Sequence, residues 1–171
     1  MKKNIFILFI VVILAISFVW IFEYVSHEGE FTKWSHTTLG KNHFIEGKTF
    51  YLDYLIRWEG IGNPTLEKIE FIKEDGTIVA KEDDQLRIEP FINLGGYGQV
   101  DEEFAIKEGI IEELIPVKGF KVIDDFYLVL RVELTDSNFD KDISEVRMTY
   151  KKFGRTQFQY ISFEDGLITE E

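Results

Sequence analysis

The chain contains no cysteine and only three alanines among its 171 residues. Without thiols it can form no disulfide, no cysteine-ligated zinc site, no thiol nucleophile and no lipid-modified N-terminal cysteine, so its stability must come from an apolar core. Scarce alanine beside 16 Phe and 7 Tyr lowers the expectation of helix and raises that of strand. Histidine is scarce as well. His27, His36 and His43 all precede the first clear strand pattern, at spacings of nine and seven residues that match no metal signature. That placement, with no G-x-S-x-G motif, argues against a Ser-His-Asp hydrolase. The one glycine-rich stretch, Leu94-Gly95-Gly96-Tyr97-Gly98, lacks the glycine spacing and the following lysine of a phosphate-binding loop.

Positive charge is also in short supply. The chain carries 19 Lys and Arg against 31 Asp and Glu; setting aside Lys2, Lys3 and Glu23 leaves 17 against 30 for the remainder. Such a surface repels nucleic acid and most polyanions, and it suits a basic partner or a cation.

What is present is a long hydrophobic run at the start. Met1-Lys2-Lys3-Asn4 precedes Ile5 to Phe22, interrupted only by Ser17. At about 1.5 Å of rise per residue a helix over this run reaches roughly 27 Å, close to a bilayer core. Lys2 and Lys3 before it, with Glu23, Glu28 and Glu30 after it, predict a cytoplasmic N-terminus and a domain outside. Trp20, Phe22 and Tyr24 then fall at the outer headgroup layer, where amphipathic rings collect. Ala15-Ile16-Ser17 also has the small-x-small form of a signal-peptidase site, so secretion after cleavage is the alternative. The aromatic tail Phe18-Val19-Trp20-Ile21-Phe22 that cleavage would leave in water favours retention. The resulting division is a membrane anchor over 1–24, a polar juxtamembrane stalk over 25–48 and one extracytoplasmic domain over 49–171.

Within that domain the hydrophobic period is two. Phe50, Leu52, Tyr54, Ile56 and Trp58 form one apolar face, and Phe126, Leu128, Leu130, Val132 and Leu134 form another, the longest in the chain, expected at a sheet centre. A strand over 66–73 leads through the turn Glu74-Asp75-Gly76-Thr77 to Ile78-Val79-Ala80. A short strand over 85–89 is expected to stop at Pro90, and Val146 to Tyr160 reads as a terminal hairpin through Phe153-Gly154-Arg155. Residues 101–114 are ambiguous: Phe104, Ile110, Ile111 and Leu114 could share one helix face, but Gly109 weakens it. About eight strands with frequent turns predict an all-β fold, an immunoglobulin-like antiparallel β-sandwich behind one transmembrane helix, with an antiparallel β-barrel as the alternative.

Few residues carry chemistry. Asp136-Ser137-Asn138-Phe139-Asp140-Lys141-Asp142 spaces oxygen ligands as a calcium loop does, but Lys141 and Arg147 stand where an EF-hand needs glycine and glutamate. A solvated turn is the simpler account, and no cofactor is expected. The acidic pairs Glu102-Glu103, Glu112-Glu113 and Asp124-Asp125 are sequential neighbours, which in strands point to opposite faces and cannot work together as glycosidase carboxylates. Tyr97, flanked by glycines, is the one candidate binding residue, as a ring projecting from a loop tip. The expected function is a non-enzymatic, membrane-anchored interaction module, contacting the lipid bilayer through residues 5–22 and an envelope protein through its surface. An immunity or inhibitor protein for a basic partner and a wall-active hydrolase are the rival expectations.

Overall fold

The computed structural model describes residues 2–40, 43, 47–80, 83, 85–135, 142–163 and 166–169. The apolar run forms one helix, α1 (Lys2–His27), which is apolar all round, and none of its hydrophobic window packs inside the protein. It is long and apolar enough to cross a bilayer, features that a signal sequence shares.

The rest is mostly strand: β1 (Glu30–Lys33), β2 (Leu39–Gly40), β3 (Thr49–Glu59), β4 (Thr65–Lys73), β5 (Leu86–Asn93), β6 (Gln99–Asp101), β7 (Ile115–Pro116), β8 (Phe126–Leu134), β9 (Ile143–Lys152), β10 (Arg155–Ser162) and β11 (Ile168–Thr169). One antiparallel sheet runs β1-β3-β8-β5-β7, with β6 on the β1 edge of β3. A second runs β10-β9-β4, and β11 pairs with β2 as a short parallel ladder. The larger sheet ends on β1 and β7, so the described residues form no closed barrel.

Period-two patterning explains the packing. Leu52, Tyr54 and Ile56 of β3 and Leu128, Leu130 and Val132 of β8 face Leu66, Phe71, Val146 and Met148 of the second sheet in one buried cluster. β8 lies between β3 and β5, the central position its alternation predicts. The opposite face of the larger sheet is covered too, and here the ambiguous segment resolves. Asp101 caps α2 (Glu102–Lys107) by accepting the Phe104 N–H at 2.9 Å, and a 3-10 turn follows at Ile111–Glu113. Ala105 and Ile110 of this segment bury Tyr51 and Val129 in a second, smaller cluster.

Two expectations change. Pro90 does not end its strand: β5 continues to Asn93 and Pro90 pairs opposite Leu130. The Thr135 N–H donates to the Gln85 carbonyl, so the residues bonded to β8 are the odd-numbered ones, and the N–H that Pro90 lacks would have pointed to the strand's other edge. Residues 25–48, expected as a stalk, finish α1 and supply β1 and β2, with Phe31 and Leu39 buried. Isolated apolar residues in a polar stretch carry no period, which is why the pattern hid them. Phe158 and Tyr160 of β10 face solvent, while Gln157, Gln159 and the buried Ile161 point inward.

Candidate functional site: the junction of helix and β domain

Gly29 turns the chain out of α1 with φ +106°, and it does so in close quarters. A Cβ at Gly29 would lie 2.5 Å from the Trp58 ring, and one at Gly60 would lie 2.5 Å from the Gly29 backbone. Two glycines thus let the helix exit pass directly over the end of β3.

Side chains from both sheets then hold that exit. Gln157 Nε2 donates to the Ser26 carbonyl at 2.8 Å, the Ile61 N–H donates to Glu28 Oε2 at 2.7 Å, and Arg155 pairs with Glu23 at 2.7 Å. Lys152 is buried, its Nζ donating to the Glu28 carbonyl with the Trp58 ring 5.0 Å away. A cation here meets a carbonyl that the helix end leaves unpaired. Burial lowers the Lys152 ammonium from its ordinary range, against the raising effect of Glu28. Gln159 grips β1 from its free edge, its Oε1 accepting the Phe31 N–H and its Nε2 donating to the Phe31 carbonyl, both at 2.7 Å. Behind these bonds Phe31 packs on Trp58 and Tyr150, with ring centroids 4.8 and 5.2 Å away. Trp58 is half-buried against the main cluster and donates to the Gly62 carbonyl at 2.9 Å.

The β9–β10 turn completes the junction. Phe153 meets Phe18, Ile21, Phe22 and Val25 of α1 around an apolar cleft of about 160 Å³. The sequence reading missed this group, although Lys151-Lys152-Phe153-Gly154-Arg155 is the densest basic stretch beyond the leader in a chain of net charge −12.

Tyr97, the predicted binding residue, does not project. The Asp53 carboxylate accepts the Tyr97 and Gly98 N–H groups at 2.5 and 2.8 Å and folds the glycine loop back over the second cluster. The Tyr97 ring is half-buried, and its hydroxyl is buried with no hydrogen-bond partner among the described residues. Burial raises the phenol above its ordinary range, with the Asp53 charge adding to the effect. Glycine flanks therefore serve an inward-turning loop here.

The other candidate chemistry is dispersed. His27 sits in the last turn of α1, and His36 and His43 are exposed. Among the described residues no three His, Asp or Glu side chains form a metal-holding group. Residues 136–141 of the candidate calcium loop lie outside the described residues. The carboxylate of Asp142, its last member, accepts the N–H groups of Ile143, Leu167 and Ile168 at 2.6 to 2.8 Å and so fastens β11. Of the acidic pairs, Asp125 binds Arg57 at 2.8 Å and Glu102 binds Arg131 at 3.3 Å. An open groove of about 690 Å³ between β4 and β5 is lined by Glu70, Glu89 and Glu133. Although burial alone would push the Glu70 carboxyl up, Lys68 and Arg147 outweigh it and hold the carboxyl below the usual range.

Compared with protein-family models, with curated proteins and with solved structures, the chain has no match.

Proposed function

We propose that this protein is a non-enzymatic interaction module, an immunoglobulin-like β-sandwich held at the outer face of a membrane by α1. The observation that carries the reading is the junction: an apolar helix whose hydrophobic window is nowhere buried among the described residues ends in a polar, aromatic collar built from both sheets. A helix of this length exposes its side chains to whatever surrounds it, and hydrocarbon is the solvent that suits them. Lys2 and Lys3 at its start support a cytoplasmic N-terminus with the β domain outside.

The strand order supports the sandwich type. β1-β3-β8-β5 opposite β4-β9-β10 reproduces, in chain order, the A-B-E-D and C-F-G sheets of an immunoglobulin domain. A chain without cysteine cannot form the disulfide of antibody domains, and β4, in the place of strand C, holds no tryptophan.

Support for recognition over catalysis comes from the carboxylates. Burial raises both Asp53 and Asp142, the kind of shift a general acid would need, yet each is occupied by backbone N–H groups of a loop. A surface for a partner exists on β10, an edge strand, where Phe158 and Tyr160 stack edge to face at 5.7 Å with 63% and 46% of their surface exposed. Two tests check the proposal. The full chain is expected to stay in the membrane pellet through an alkaline carbonate wash; release into the supernatant, or a chain in the medium starting at Phe18, would refute the anchor. A photo-crosslinker at position 158 in living cells is expected to give a discrete adduct that Tyr160→Ala weakens without changing the melting temperature. Absence of any adduct would count against recognition through this face.

A further inference from the structure

The β9–β10 turn holds an anomaly. Phe153 and Gly154 both adopt positive φ, 49° and 81°, the two-residue geometry that hairpins normally fill with Asn-Gly. Phe153 is the only non-glycine among the described residues in that region, and for a bulky ring the conformation is strained. Strain of this kind persists where something else compensates it. The ring lines one cleft with Phe18, Ile21 and Phe22 of α1, and a Cβ on Gly62 would lie 2.7 Å from it. Even so, 47% of its surface is exposed, and Ile61 in the neighbouring β3–β4 loop is 52% exposed. Lys151, two residues before the ring, is exposed, and Arg155, two residues after it, binds Glu23 while its guanidinium lies 5.4 Å from the Phe22 ring. An aromatic tip flanked by cations, continuous with the apolar face of a helix, has the composition of a segment that sits among anionic headgroups.

We infer that the β9–β10 turn is a second membrane contact, in which Phe153 and Ile61 enter the headgroup layer beside α1 while Lys151 and Arg155 meet the phosphates of anionic lipids. The inference rests on the anchor reading above and adds to it: the β domain lies down on the bilayer in one orientation and is not free to swing on a tether. Continuity carries the choice of lipid as occupant. The side chains that share the cleft with Phe153 are those that the anchor reading puts at the outer boundary of the hydrocarbon, so the ring shares their depth. Charge supports the same choice, because this turn presents Lys151 and Arg155, with Lys152 buried between them, in a chain whose net charge is −12.

The absence of native cysteine allows a clean test on the full chain in vesicles of phosphatidylcholine with phosphatidylglycerol. Single-cysteine variants Ile13→Cys in the span, Phe153→Cys and Lys151→Cys at the turn, and Glu74→Cys at the far end of β4 would each carry an environment-sensitive fluorophore. Lys151→Cys keeps the ring in place, so the test survives if Phe153→Cys disturbs the turn. The expected result is quenching at 13 by lipids with a deep nitroxide, quenching at 151 and 153 by lipids with a shallow nitroxide, and none at 74. Removing phosphatidylglycerol should reduce the quenching at 151 and 153 while leaving that at 13 unchanged. If 13 is quenched and both turn sites behave like 74, the anchor stands and the turn contact is refuted. If 13 escapes quenching as well, the anchor falls and the turn contact falls with it.

Discussion

Leu130→Ala is expected to destabilise the protein by about 2 to 5 kcal/mol, the range for deleting a large aliphatic side chain from a core that cannot collapse around the gap. Leu130 is fully buried on β8, with β3 on one side, β5 on the other and the second sheet over its side chain. Its ladder partners Leu52 and Pro90 are backbone-fixed, so neither can move into the space. Thermal melting of the full chain in detergent or nanodiscs should show a drop of several degrees. Phe158→Ala, at an exposed site on β10, should change stability by less than about 0.5 kcal/mol. Equal losses from the two variants would contradict the assignment of inner and outer faces.

Asp53→Ala is expected to cost about 2 to 4 kcal/mol, because it strands two N–H groups, those of Tyr97 and Gly98, that the buried carboxylate accepts. The same change should release the glycine loop and expose the Tyr97 ring. The conservative Asp53→Asn variant probes the charge. Burial raises the Asp53 carboxyl above 3.8, its ordinary value, more than the two amides lower it. A folded value above the unfolded one means that the group's stabilisation is complete below the unfolded value and is lost as pH rises through the folded one. Asparagine does not titrate, so the deficit of Asp53→Asn relative to the parent chain should be larger near the ordinary value of 3.8 than at about pH 8. Denaturant titrations at both pH values read this difference directly; a deficit that grows with pH would show that the two amides outweigh burial and hold the carboxyl below its ordinary value.

How much of this was legible in advance depended on periodicity. β3 and β8 could be read residue by residue because one face of each is apolar, and the fully alternating face of β8 marked it as central although β3, at 11 residues, is longer than its 9. Segments whose burial depends on single residues could not be read this way: Phe31 and Leu39 sit in polar surroundings, and the two glutamines of β10 point inward only because β1 and the helix exit offer carbonyls to them. Tyr97 shows the limit of local reasoning. Its glycine flanks permit projection or inward folding equally, and the choice is made by Asp53, 44 residues away in sequence. The junction was partly legible, since Lys151 to Arg155 is a basic cluster in an acidic chain, but its nearness to α1 depends on a register between β9 and β10 that no composition reveals.

The central claim is that α1 holds the β domain outside a membrane, and thiol accessibility tests it most directly. With Glu74→Cys as the only cysteine of the full chain, a membrane-impermeant maleimide applied to intact cells should label the protein in the membrane fraction as fully as it does after lysis. Labelling that appears only after lysis would place the domain in the cytoplasm and contradict the account.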